Sequence, residues 1–302
     1  METTSSALKL IRDDVAIDQS ERVLIKPNCV RPVAPKEGIT TDAGVVEAII
    51  VFLTEIGVKD IVIAEGGNPG TDNAFQLTGL KSLGKRYGVQ LINLNKDKWE
   101  EIPIPHAVAL QKVKIAKTVL ECDRIVNIPK LKIHHMAQVT LSLKNLMGVI
   151  VDNRGRVMHE GLDEKIVDLA SLFVPALNVI DGIVGSEMDE VVGRPVQSKV
   201  VIAGVDMVSV DAVGSAVMGL DVSKIRHIQM AAERGLGIAS LEHINVIGEA
   251  IDSVKLKFST EYSDRKLKTY GLMNPLSEAD IIQMKAKFAN RDPYIVDPYK
   301  RA

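Results

Sequence analysis

Short β-branched apolar runs alternate along this chain with longer stretches of helical period, and the alternation predicts a fold before any single residue is weighed. Arg22 to Lys26 (RVLIK), Asp60 to Ala64 (DIVIA), Val89 to Leu94 (VQLINL) and Arg124 to Ile128 (RIVNI) read as buried strands. Helices are expected between them over about Ala43 to Ile56 and Asn73 to Tyr87, closed by Gly57 and Gly88. Such a repeated βα unit calls for a mostly parallel sheet flanked by helices, an α/β fold. Lys96 to Lys117 breaks the rhythm with strand alternation around Pro103 and Pro105, so a hairpin or excursion is expected there.

Further along, Asp163 to Leu172 reads as helix, Ala176 to Asp181 (ALNVID) as strand, and Gly182 to Gln197 as a glycine-containing loop. Lys199 to Val205 is another strand, Asp206 to Met218 and Ser223 to Arg234 are helices, and His243 to Gly248 and Ser253 to Phe258 are strand-like. A split near Asp152 gives two α/β lobes around a cleft, residues 1–151 and 152–258, with 259–302 as a peripheral tail that carries a helix-like run around Glu278 to Phe288. A single doubly wound domain is the runner-up.

Composition narrows the function classes. At 302 residues, 46% of them hydrophobic and 25% charged, the chain has the balance of an ordered protein with a sizeable core. A net charge of -2, 4% aromatic residues and no basic run interleaved with aromatics leave no footprint for nucleic-acid binding. Apolar runs such as Val45 to Ile56 carry Glu47 and Glu55 and fall short of the roughly 20 residues of a membrane span, so no membrane partner is expected. The stretch through Ser20 shows no export or transit signal, and two cysteines, Cys29 and Cys122, suit a cytoplasmic protein.

The chemically densest stretch is Val126 to Ile150, VNIPKLKIHHMAQVTLSLKNLMGVI, which sets Lys130, Lys132, His134, His135, Lys144, Asn127 and Asn145 among apolar residues. Lysines are costly to bury unless paired, so this interleaving marks the floor of a site. On an extended segment Lys130 and Lys132 project to the same side, where two cations suit a carboxylate or phosphate. Met136 to Met147 fits either a helix, slightly favoured, which would bring His134 and Asn145 to one cleft, or a strand.

Lys26 with Asn28, Glu65 with the Gly66-Gly67 turn, Asn127 and Asp181 each follow an apolar strand, where open α/β sheets place ligand crevices. Thr41 stands at the start of the next helix; with Lys26, Asn28, Glu65, Gly66, Gly67, Asn127 and Asn145 it forms the expected ligand- or cofactor-binding rim. The glycine turn could cradle a phosphate, although it lacks GxGxxG spacing and a P-loop lysine. Beyond a turn-rich loop from Asp152 to Arg156 that could fold back as a lid, His159 joins Asp181 and Asp211 as a candidate set for a divalent metal. Asp206 and Asp211 also make sense as first-turn helix residues. Cys29, near Lys26, is a weaker candidate nucleophile.

Taken in order, VLIKPNCV, TTDAGVVEAII, IVIAEGG, VNIPKLKIHH, LKNLMG, NVIDGIVGSE and VSVDAVGSAVMGLD resemble the DUF362 family, a domain of unknown function, over about residues 20 to 250. The resemblance supports the fold inference and raises His159, which follows LKNLMG, above His227 and His243. It implies no assigned chemistry. Many members carry an appended ferredoxin-type segment and are described as iron-sulfur proteins. Two cysteines cannot supply the four thiolates a cluster usually needs, so an intrinsic cluster is not expected and a redox role would require an external electron carrier.

Two function classes follow. One is an enzyme that holds a small anionic metabolite on Lys26, Lys130, Lys132 and Lys144 and moves protons with His134 or His159, with a metal as an option. The other is a non-catalytic module that binds a metal, cluster or anion for a partner. A homo-oligomer is compatible with both.

Overall fold

The structure, a computed structural model, describes residues 1–67, 70–151 and 154–261. Its strands are β1 (Arg22–Lys26), β2 (Asp60–Glu65), β3 (Gln90–Asn93), β4 (Trp99–Pro103), β5 (Lys112–Ala116), β6 (Arg124–Asn127), β7 (Lys130–His134), β8 (Gln138–Thr140), β9 (Leu177–Glu187), β10 (Arg194–Val196) and β11 (Val200–Gly204). A nine-stranded sheet runs in the order β3-β2-β1-β6-β9-β7-β8, with β10 and β11 also paired to β9, while β4 and β5 form a separate antiparallel hairpin. The βα repeats make β1, β2, β3, β6 and β9 parallel, and after Pro129 the chain continues as β7, again parallel to β9. Strands β8, β10 and β11 run the other way.

Side chains alternate faces along a strand, so each strand feeds two cores. Val23 and Ile25 join the core under the helices Ala43–Glu55, Thr71–Leu77 and Leu80–Tyr87, and Leu24 joins the one under Leu162–Ala170, Met207–Val217 and Arg226–Glu233. Helix Ala43–Glu55 is capped by Asp42, whose side chain accepts from Gly44 N, and it buries Val45, Val46, Ile49, Ile50 and Leu53. At roughly 1.5–3 kcal/mol per buried aliphatic side chain, that face anchors the loop above the tip of β1.

Four expectations change. The helix over Asn73 to Tyr87 is two, because Gly79 takes a left-handed φ of 85° and ends the first. The strand from Ala176 does not stop at Asp181 but runs to Glu187, and β10 also falls within the expected loop. Its glycines serve close packing instead: a Cβ on Gly182 would lie 2.7 Å from Val200 Cγ2, and one on Gly185 2.8 Å from Leu131 O. His243 to Gly248 and Ser253 to Phe258 form no strands, and Leu256 and Phe258 give their amides to Val217 and Met218 at a helix end. Met136 to Met147 is neither one helix nor one strand, but β8 followed by the short helix Ser142–Asn145 and a 3-10 turn. Asp152 and the run Glu278 to Phe288 lie outside the described residues. Among those described, no helix is long and apolar enough to cross a membrane.

Candidate functional site

Strands β1, β2 and β6 end side by side, and each ends on a polar residue, Lys26, Glu65 or Asn127. Lys26 Nζ lies 2.8 Å from Glu65 Oε2, both side chains buried. From β7, Lys130 Nζ reaches Asp181 Oδ2 at 2.7 Å, and Asp181 also accepts from the amides of Asp42 and Ile183. Asp181 sits mid-strand, since β9 continues beyond it. Each pair cancels its own charge, as burial demands. Burial pushes the Lys26 amine below its ordinary value and Glu65 pulls it back.

A chain of side-chain amides links these tips. Asn28 Nδ2 donates to Asn145 Oδ1 at 2.7 Å, Asn145 Nδ2 to Asn127 Oδ1 at 2.8 Å, and Asn127 Nδ2 to Asn178 Oδ1 at 3.1 Å. Thr41 Oγ1 accepts from Asn28 N and donates to Ile128 O, latching the helix start to the strand ends. The Gly66 amide is taken by Glu65 Oε1, and a Cβ on Gly66 or Gly67 would collide with Gly148 O or Cys29 O. The glycines therefore serve crowding between three loops, with no free Gly66 amide for a phosphate. The expected rim is gathered in one place, largely as a scaffold of mutual partners.

The other half of the web lacks this balance. Lys132 Nζ donates to Asn28 Oδ1 at 2.9 Å, Ile39 O at 3.0 Å and Glu190 O at 3.3 Å, all neutral oxygens, and so bolts two loops together. Arg31 closes them from outside through Val191 O at 2.7 Å. Lys144 is only 9% exposed, and its ammonium has no hydrogen-bond acceptor among the described residues. Burial pushes Lys144 down to about 8, with Glu190 opposing and Arg154 adding to the effect, and pushes Lys132 down to about 7. The half-buried Arg154 guanidinium bonds the neutral oxygens of Gly67 and Asn95.

Two imidazoles face this cationic group. The chain turns after β7, and the adjacent rings of His134 and His135 stack at 4.9 Å between centroids. His135 Nδ1 lies 2.7 and 2.8 Å from the two carboxylate oxygens of Glu190 and donates to them. His134 Nδ1 accepts from the main-chain amides of Met136 and Ala137 at 3.1 and 3.2 Å. Amides can only donate, so the proton of the neutral His134 ring is on Nε2, which faces Glu190 Oε1 at 3.9 Å. Burial works against the Glu190 charge, but His134 and His135 outweigh it and hold the carboxyl well below the usual range. His159 is pushed down to about 3 by burial and then by Lys144 and His135, so it is neutral near pH 7.

The expected metal set is not gathered. Asp181 is committed to Lys130, and Asp211 accepts from Ser142 N at 2.6 Å and Leu143 N at 2.9 Å, capping the helix that carries Lys144. Burial pushes the Asp211 carboxyl up to about 7 against those two amides. Among the described residues, the group whose ligand-type atoms lie within 4.8 Å of one another is His134, His135 and Glu190. A histidine that binds a metal normally donates from its other nitrogen, whereas His134 Nδ1 faces two donors. Lys132 and Lys144 add positive charge beside the trio, which works against a cation there. Cys29 is buried and its thiol is pushed up by that burial, so it is a packing residue. His227 is buried near Asp163, and His243 is exposed at the end of a 3-10 turn, Leu241–His243.

Lys130, Lys132 and His134 thus meet in one buried network, and Lys144, which bonds none of it, lies close enough to act on Lys132 and on His159. Sequence reasoning singles out neither His135, Glu190 nor Arg154 as a catalytic or binding residue. Their type was visible, but nothing local marks a glutamate 55 residues from its histidine partner.

Residues 23–216 match the family model described as a domain of unknown function, DUF362. The chain is also similar to the "Thylakoid-associated protein sll1697" of Synechocystis sp. (strain ATCC 27184 / PCC 6803 / Kazusa), at 25% identity over 233 residues, covering 74% of this chain and 70% of that protein.

Proposed function

We propose, from the premise that this chain belongs to the DUF362 family of domains of unknown function, that it is an enzyme acting on a small anionic metabolite by proton transfer. The observation that carries the reading is Lys144, a side chain only 9% exposed whose ammonium has no acceptor among the described residues. An anion placed there would supply the missing partner, and His134 Nε2–H would add a donor.

The proton-transfer group is His135. A carboxylate on Nδ1 fixes the tautomer and leaves Nε2 as the basic nitrogen, an arrangement that recurs where imidazole exchanges protons. Such a group typically contributes about 10²–10⁴-fold to a rate, enough for an isomerase or lyase step. His134 is a donor in this scheme because both its nitrogens are assigned, and neutral His159 lies close enough to feel Lys144.

Melting-temperature shifts across a panel of carboxylates and phosphates test the reading. Wild type is expected to be stabilised by some of them, Lys144→Met by none, and His135→Gln to keep the shift but lose turnover followed by NMR. A wild-type protein that binds an anion and never converts it would replace the enzyme with a carrier. We place the protein in the cytoplasm, in keeping with two free thiols. The relative's name associates that relative with thylakoids, so recovery of this chain in washed membranes would contradict the placement.

A further inference from the structure

The long strand β9 is paired along both of its edges. Asn178 pairs with β6 and β11, Asp181 with β7 and β11, and Ser186 with β7 and β10, so β6 and β7 share one edge while β11 and β10 share the other. Beyond β10 and β11 no further strand follows among the described residues. Alternate residues of β11 therefore turn their amides and carbonyls away from β9, toward no hydrogen-bond partner among the described residues. An open edge invites another strand, and proteins normally blunt it. The β10 half is blunted by Arg194, by Pro195 and by a break at Lys199, whose φ is 54°. The β11 half is not: Val200–Gly204 reads VVIAG, without charge or proline, and the apolar side chain of Val205 that follows is 40% exposed. Beside it Ile238, 44% exposed, is tied by its amide to Asp206. The sheet's other outer strands, β3 and β8, have only four and three residues.

We propose that β11 pairs antiparallel with β11 of a second copy of this chain, joining the two sheets across a two-fold axis at Ile202. The edge itself selects that occupant. Val200 and Ile202 pack against one core and Val201 and Ala203 against the other, so the strand offers a partner its backbone and not a side-chain code. Pairing about Ile202 sets Val200 opposite Gly204 and Lys199 opposite Val205. Lys199 is exposed and has no ion-pair partner among the described residues, and Asp206 follows Val205. The antiparallel arrangement thus brings the cationic end of each strand to the acidic end of the other, whereas a parallel one would set like ends together. It also covers Val205, and because the contact is isologous it uses up the edge and stops at two copies. This interface goes beyond the anion-binding reading and does not depend on it.

Sedimentation velocity and amide hydrogen exchange on the full chain, across micromolar concentrations, test the pairing. The expected species has twice the 32.9 kDa of one chain, and the amides of β11 that face away from β9 exchange more slowly as it forms. Val205→Lys places a cation opposite Lys199 of the second copy and is expected to weaken the dimer about tenfold or more. Lys199→Glu, which brings an anion to the Asp206 end, is expected to weaken it as well, and the two substitutions together to restore it. Both side chains are exposed, and either single variant serves if the other does not fold. A chain that stays monomeric would overturn the proposal, whether its edge amides exchange freely or are shielded by another part of the same molecule. A dimer indifferent to both single variants, or one weakened by each and not restored in the double variant, would overturn it too, since the interface would then lie elsewhere or in another register.

Discussion

Lys26 and Lys144 are both buried lysines near one polar web, yet one lies 2.8 Å from a carboxylate and the other touches no acceptor among the described residues. The difference separates scaffold from site. A buried lysine with its counter-charge is an internal brace whose loss exposes the partner, whereas one without it is an open valence for a ligand. Lys130 falls with Lys26, and Lys132 falls between the two classes, saturated in hydrogen bonds but not in charge.

The comparison breaks first if the braces are not braces. Lys26→Met leaves Glu65 buried alone and is expected to cost about 3–5 kcal/mol in urea unfolding. Lys26→Met combined with Glu65→Leu should recover at least half. A single-variant cost under about 1 kcal/mol would place Lys26 with the open cations.

Next in size is the cap that holds Lys144 in position. Asp211→Asn keeps an acceptor oxygen for one amide but sets its Nδ2 donor against the other, Ser142 or Leu143, and is expected to cost about 1–3 kcal/mol. The folded-state value near 7 lies above the ordinary 3.8, so its stabilisation is present below about pH 4 and is lost as pH rises through about 7. The gap in melting temperature between wild type and Asp211→Asn should accordingly narrow from pH 5 to 8. A gap that widens would show that the carboxylate, not the acid, is the favoured form.

Smaller still is the effect of pH on binding. Glu190, Arg154 and Asp163 act on Lys144, with His134 and His159 close by. With Lys144 near 8, affinity for succinate should fall about tenfold between pH 7 and 9, accompanied by proton uptake on binding in calorimetry. Flat affinity over that range would mean the anion does not contact Lys144. The smallest effect is on stability: Lys144→Met removes an unpaired charge and should leave the unfolding free energy unchanged or raised by about 1 kcal/mol. A loss above about 2 kcal/mol would make Lys144 a brace.

Much of this framework was legible in the sequence, because strand periodicity is local. RVLIK, DIVIA and RIVN form β1, β2 and β6, and the polar residues after the apolar runs, Lys26, Glu65 and Asn127, stand at neighbouring tips. What stayed hidden was pairing. Glycine usually marks loops, so Gly182 to Gln197 gave no sign that β9 continues and that the segment after it carries Glu190 back onto His135. Likewise two adjacent histidines look equivalent until the turn after β7 gives Nδ1 of His134 to two amides and leaves Nδ1 of His135 for a carboxylate. Which lysine keeps an open valence depends on partners distant along the chain, and composition holds no record of that.

Anomalous diffraction from crystals soaked in selenate, a compact dianion, would test the central claim most directly. A selenium peak within hydrogen-bond reach of Lys144 Nζ, absent in Lys144→Met crystals, is the expected result. A site beside Lys144 left without a peak while selenate binds elsewhere on the surface would contradict it.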